Sequence, residues 1–196
     1  MVAGEGIVHS ERTRDALRET GYRLHGLQLW HALPADEEDR APSFHHYASD
    51  EIPEVTLDGG VTARVMMGTA FGATSPVRTF AETLYYEVRL PTGGSITLPD
   101  APERAVYVAD GDVKIAGDAC DPHTFVVLNN GPTRIEARSD ARIAVIGGEP
   151  LGERYIRWNF VSSSRDKIRE AETKWKDGRF PSVPGDEHDF IPLPQL

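Results

Sequence analysis

The feature that most restricts the fold is punctuation: 18 Gly and 14 Pro break the chain into short apolar runs, most of them alternating or rich in β-branched residues. Runs of this length and period build strands bounded by turns, because a buried helix face needs a longer stretch and a 3.6-residue repeat. Nine stretches fit: GIVHSE (6–11), LHGLQLWHAL (24–33), VTARVMMGTAF (61–71), TLYYEVRL (83–90), SITLP (95–99), RAVYVADGDVKIAG (104–117), FVVLNN (125–130), TRIEARS (133–139) and ARIAVIGG (141–148). Their spacing predicts an all-β sandwich or closed barrel.

Two segments break the pattern. PADEEDRAP, residues 34–42, is acidic and bounded by Pro, and reads as a solvated connector and a domain boundary. SSSRDKIREAETKWKDG, residues 162–178, predicts a helix with Ser163 as N-cap and Asp166 as its capping-box partner. Ile168, Ala171 and Trp175 then share one face, which is core packing rather than a cofactor box, and Gly178 can take the left-handed stop. A shorter helical turn is expected at 13–20, capped by Thr13 and ended by Gly21. The tail RFPSVPGDEHDFIPLPQL is interrupted by Pro but carries Phe180, Phe190, Ile191 and Leu193, so an extended arm with apolar anchors is expected.

Composition excludes several functions. With 21 basic and 31 acidic residues the net charge is −10, which disfavours direct nucleic-acid binding. A single cysteine, Cys120, precludes an internal disulfide framework and fits a reducing, cytoplasmic setting. No apolar run approaches a membrane span and no leader-like N-terminus is present. Cys120 lies between Asp118 and Asp121, and acidic neighbours raise a thiol pKa rather than activate it. Gly147-Gly148-Glu149-Pro150-Leu151-Gly152 reads as a tight strand exit and not a phosphate cradle, since no helix follows directly.

The chemistry-bearing pair is His9 and Glu11. Two apart in a Gly-flanked apolar run, they would point to one face of a strand, yet two side chains are too few to hold a metal. The remaining histidines do not supply partners at ligand spacing. His45 and His46 are adjacent and would point to opposite faces of a strand, His25 has no spacing partner, His31 follows Trp30 on an outgoing strand, His123 follows Asp121-Pro122 in a turn, and His188 lies in the acidic tail.

Five blocks in order, AGEGIVHSER (3–12), GLQLWHALP (26–34), DEIPEV (50–55), GGEPLGE (147–153) and RWNFVSSSRDKIREAETKWKDGRF (157–180), resemble the pirin family. That resemblance covers essentially the whole chain and implies two cupin β-barrels (double-stranded β-helices). It divides the chain into a remnant of the N-terminal metal-binding cupin (1–33), a linker (34–42), a C-terminal cupin barrel (43–160), and a C-terminal helix with an extended tail (161–196). Pirin-like proteins build one metal site from an earlier His-x-His pair and a later His-x-Glu pair, and His9 and Glu11 match the later pair. The implied cofactor is Fe or another divalent transition metal, with the site incomplete in this chain because the earlier pair would lie upstream of Met1. Met1 would then be an internal methionine taken as a start, or the chain a fragment.

The implied activity is flavonol oxidation of the quercetin 2,3-dioxygenase type, with Glu11 as the catalytic carboxylate that helps remove the substrate hydroxyl proton. The implied substrate is a small aromatic or flavonol-like molecule. The alternative is a non-enzymatic regulatory module that binds a protein partner. In either case residues after 43 should fold by themselves, and Ile7, Val8, Leu27 and Leu29 should be left uncovered.

Overall fold

In the computed structural model, which describes residues 1–195, the alternation written into TLYYEVRL is carried directly into space: Leu84, Tyr86, Val88 and Leu90 are buried while Arg89 between them is exposed. The chain divides into two compact units, 46–150 and 1–45 together with 151–196.

The first unit is all-β. It contains β1 (Glu54–Thr56), β2 (Thr62–Met67), β3 (Thr69–Ala70), β4 (Ala73–Thr74), β5 (Thr83–Leu90), β6 (Ser95–Leu98), β7 (Glu103–Asp110), β8 (Val113–Ile115), β9 (Asp118–Cys120), β10 (Phe125–Val127), β11 (Thr133–Ala137) and β12 (Ala141–Gly148). A six-stranded sheet runs β1-β2-β5-β12-β7-β10 and a four-stranded sheet runs β6-β11-β8-β9. Register places Ala63, Val88, Ile143 and Val108 in one inward row and Val65, Tyr86, Val145 and Val106 in the next. Ile96, Ile135 and Ile115 form a facing row on the smaller sheet. All of these are in one buried cluster, so a period of two has placed these side chains on the same interior. β12 lies between β5 and β7, and its end explains its glycines: a Cβ on Gly148 (φ +149) would sit 2.2 Å from Glu82 O, so only glycine lets these strands approach. The strand exit expected at 147–152 is therefore what the structure contains.

Tyr86 is fully buried in this core, edge-on to Phe71 at 5.2 Å. Its hydroxyl has no hydrogen-bond partner among the described residues, and burial pushes its pKa up.

The second unit holds α1 (Asp15–Thr20), β13 (Tyr155–Arg157), β14 (Phe160–Ser162) and α2 (Arg165–Lys176). β13 and β14 pair as a hairpin whose turn is Trp158-Asn159, with Trp158 at φ +51. A bulky residue at positive φ is not a hairpin signal, which is why this pair was not among the nine expected strands.

Two helix ends differ from expectation. Ser164, not Ser163, caps α2 by accepting from Lys167 N at 3.4 Å, so Asp166 is one residue too early for a capping box. Ser163 is diverted because its N–H and hydroxyl donate to Glu38 at 2.8 and 3.1 Å. In α1 Thr13 does not cap, since its hydroxyl pairs with Tyr22 at 2.8 Å. Gly178 does take the left-handed stop, at φ +64.

Glu38 also corrects the reading of 34–42 as uniformly solvated. It is 8 % exposed. Ser162 Oγ donates to it at 2.8 Å, and Arg154 Nε and Lys167 Nζ lie 3.2 and 3.8 Å from its oxygens. A buried carboxylate is tolerated only with such donors.

The two buried polar groups predict opposite outcomes in chemical denaturation. Tyr86→Phe removes an unpaired hydroxyl and should leave stability unchanged or raise it by about 1 kcal/mol. Glu38→Ala removes the acceptor of two seryl hydroxyls and the ion-pair partner of Arg154, and should cost about 3 kcal/mol.

Candidate functional site

Residues 3–12 carry the candidate pair, and the structure gives them no sheet. The strand expected at 6–11 does not form; among the described residues, the backbone of residues 7–12 makes no backbone–backbone hydrogen bond. Alternation alone cannot make a strand, because the ladder needs a neighbour. Residues 24–33 likewise form no strand, and Leu24, Leu27, Leu29 and Trp30 are exposed. Ile7 and Val8 are half-buried, and His9 and Glu11 are exposed.

What holds this segment comes from elsewhere in the unit. Upstream, Val2 and Ser43 exchange backbone hydrogen bonds at 2.8 and 2.9 Å, and Glu5 N donates to Arg40 O at 3.0 Å. Gly6, at φ +130, lies so close to Phe180 that a Cβ would meet Cε1 at 2.5 Å. Downstream, Arg12 forks onto Asp186, Nε to Oδ2 at 2.7 Å and Nη2 to Oδ1 at 2.6 Å, and Nη2 also reaches Asp189 Oδ2 at 2.7 Å.

The tail that supplies Asp186 and Asp189 is docked on α2. Trp175 stacks on Phe190 at 5.1 Å and its Nε1 donates to Ile191 O at 3.0 Å. Trp175 also meets Trp158 at 5.1 Å and Phe180 at 5.8 Å, while Lys174 lies 4.5 Å over the Phe180 ring. Ile168 is buried. The apolar helix face is therefore core packing, as its spacing indicates.

The other histidines stay apart. His25, His31, His45, His46, His123 and His188 are exposed; His123 turns the chain into β10 at φ +65, with Nδ1 3.3 Å from Tyr107 Oη. Cys120 is half-buried and its thiol faces Asp118 O at 3.8 Å. Among the described residues no three His, Cys, Asp or Glu side chains converge to hold a metal ion. His9 and Glu11 alone do not fit the metal that the family resemblance implies.

Sequence reasoning missed Arg12, Asp186 and Glu38. Arg12 adjoins the pair and GDEHD at 185–189 is acidic, but their separation of 174 residues carries no local signal. No helix among the described residues is long and apolar enough to cross a membrane.

Comparison with known proteins places these features. Residues 85–181 match the pirin C-terminal cupin domain. A pirin-like protein of Caulobacter vibrioides is 42 % identical over 198 residues, covering all of this chain and 68 % of the relative. The pirin of Rattus norvegicus is 33 % identical, over 91 % of this chain and 63 % of its own length. A quercetin 2,3-dioxygenase from Acinetobacter baumannii superimposes with a TM-score of 0.75 at 28 % identity, covering 84 % of this chain and 56 % of that one. The chain thus spans about two thirds of the length of these relatives and a little over half of the solved structure. The all-β unit has the cupin fold.

Ion pairing predicts how the tail responds to acid. Hydrogen bonds from Arg12 and Ser10 hold the Asp186 carboxyl below the usual carboxylate range, with the Arg12 and His188 charges assisting and partial desolvation opposing. A depressed folded pKa contributes stability that is complete above the unfolded value, about 3.9, and is lost as pH falls through the folded value. Followed by carboxyl carbon NMR, Asp186 should titrate below that value, and Arg12→Leu should return it toward the ordinary range.

Proposed function

The chain belongs to the pirin family, and from that premise we propose that it is part of a metal-dependent oxidoreductase of the quercetin 2,3-dioxygenase type. His9 and Glu11 serve as two of four ligand positions, with iron or another divalent transition metal as cofactor. The observation that carries this reading is the His9-x-Glu11 pair in a chain related along its whole length to pirin-like proteins. The substrate class is a small flavonol-like aromatic, by analogy with the dioxygenase of similar fold.

The remaining donors in this reading are a His-x-His pair of the kind the family resemblance implies, which the 196-residue sequence does not contain. The 196-residue chain alone binds metal weakly, because two monodentate side chains cannot enclose an ion that prefers a closed set of N and O donors. Glu11 remains the carboxylate proposed to accept a proton from a bound hydroxyl.

A second reading has its own support. Leu24, Leu27, Leu29 and Trp30 leave apolar side chains exposed along one segment, which suits a protein partner more than a solvated surface. In that reading the protein is a regulatory module and turnover is absent.

Elemental analysis of the purified 196-residue chain should find far less than one iron per chain; near-stoichiometric iron would overturn the incomplete ligand set. On a polypeptide extended upstream to include the proposed His pair, quercetin should drive oxygen uptake, and Glu11→Gln should lower it by about a hundredfold or more. A metal-loaded protein silent on flavonols would decide for the regulatory module. An in-frame stop directly before Met1, with no His-x-His coding stretch beyond it, would remove the proposed source of the missing ligands.

A further inference from the structure

Residues 6–12 take contacts from side chains that arrive from the far end of the sequence. Gly6 packs on Phe180, and Arg12 binds Asp186 and Asp189. Contacts on both sides of His9 therefore come from residues 180–189. We propose that this C-terminal arm is the positioning element of the His9–Glu11 segment, with Asp186 and Asp189 acting through Arg12.

The physical case rests on what the segment lacks and what the arm supplies. A strand of this kind ordinarily takes its register from a hydrogen-bonded neighbour. Here the backbone of residues 7–12 has no backbone partner among the described residues, so side-chain contacts must set the register. A lone exposed ion pair would be too weak for this. The Arg12 site is a network instead: a planar guanidinium meets one carboxylate bidentately and a second through Nη2. The fork geometry restrains Arg12 in orientation as well as distance, and Arg12 is bonded directly to Glu11.

The arm can do this because it is itself anchored. Phe190 stacks on Trp175 and Ile191 O accepts from its indole N–H, one and two residues beyond Asp189. Phe180, at the other end, stacks on Phe160 and contacts Trp175. Asp186 and Asp189 are therefore held between two aromatic anchors. The arm's relevance to metal binding rests on the proposed role of His9 and Glu11 as ligands, whereas its hold on the segment does not.

Backbone 15N relaxation on the full chain tests the proposal. In the Asp186→Asn/Asp189→Asn variant, order parameters at residues 7–12 should fall from about 0.85 to below about 0.6 while residues 46–150 keep theirs. Arg12→Asp should produce the same local change, and combining it with Asp186→Arg should restore the order, a rescue that general loosening would not show. Unchanged order parameters at 7–12 in both variants would overturn the proposal, as would a fall spread equally over 46–150. Cobalt(II) titration of His9→Ala on the upstream-extended polypeptide reports separately on the ligand role. If the order parameters respond as expected but His9→Ala leaves cobalt affinity unchanged, the arm's positioning role stands and the ligand assignment falls.

Discussion

The unit formed by the two ends of the chain depends on one buried carboxylate. Glu38 lies in the middle of an acidic, Pro-bounded segment, yet it is the member of that segment taken out of water, where a charge survives only among donors. Ser162 and Ser163 provide them and Arg154 adds an ion pair, so residues near 38 are tied to β14 and the start of α2. This attachment propagates. Arg40 and Ser43, close behind Glu38, accept and exchange backbone hydrogen bonds with Glu5 and Val2, which places the start of the segment bearing His9 and Glu11.

The all-β unit is organised by a different constraint. Its strands pair with neighbours inside the unit, its inward rows are mostly β-branched, and Gly147 and Gly148 lie where the backbone approaches too closely for a Cβ. Hydrophobic burial there is non-directional and tolerant, so a pattern of alternating residues is enough to specify it. The contrast with residues 1–33 is physical. Apolar alternation is present in both, but only where partner strands exist does alternation become a sheet.

For the candidate site this has a functional consequence. A ligand-bearing segment inside a sheet inherits its geometry from many cooperative hydrogen bonds. Here the geometry of residues 6–12 rests on a glycine contact and a charged network. Such a segment is sensitive to what happens at the chain's other end, which links the tail, otherwise a Pro-interrupted appendage, to the chemistry expected at His9 and Glu11.

By itself the sequence determined the fold class, the strands of 61–148 other than the short β4 and β9, the place and packing face of α2, and the family, because each is encoded in local periodicity, turn residues or contiguous motif blocks. It also singled out His9 and Glu11 from the other polar residues. Tertiary structure alone decided that Ser164 and not Ser163 caps the helix, that Glu38 is buried, and that Arg12 meets Asp186 and Asp189. These outcomes turn on competition between distant partners: Ser163 could cap a helix or bind a carboxylate 125 residues away, and only the fold sets which is within reach. The failure of 6–11 to become a strand has the same origin, since a strand's identity lies half in itself and half in its neighbour.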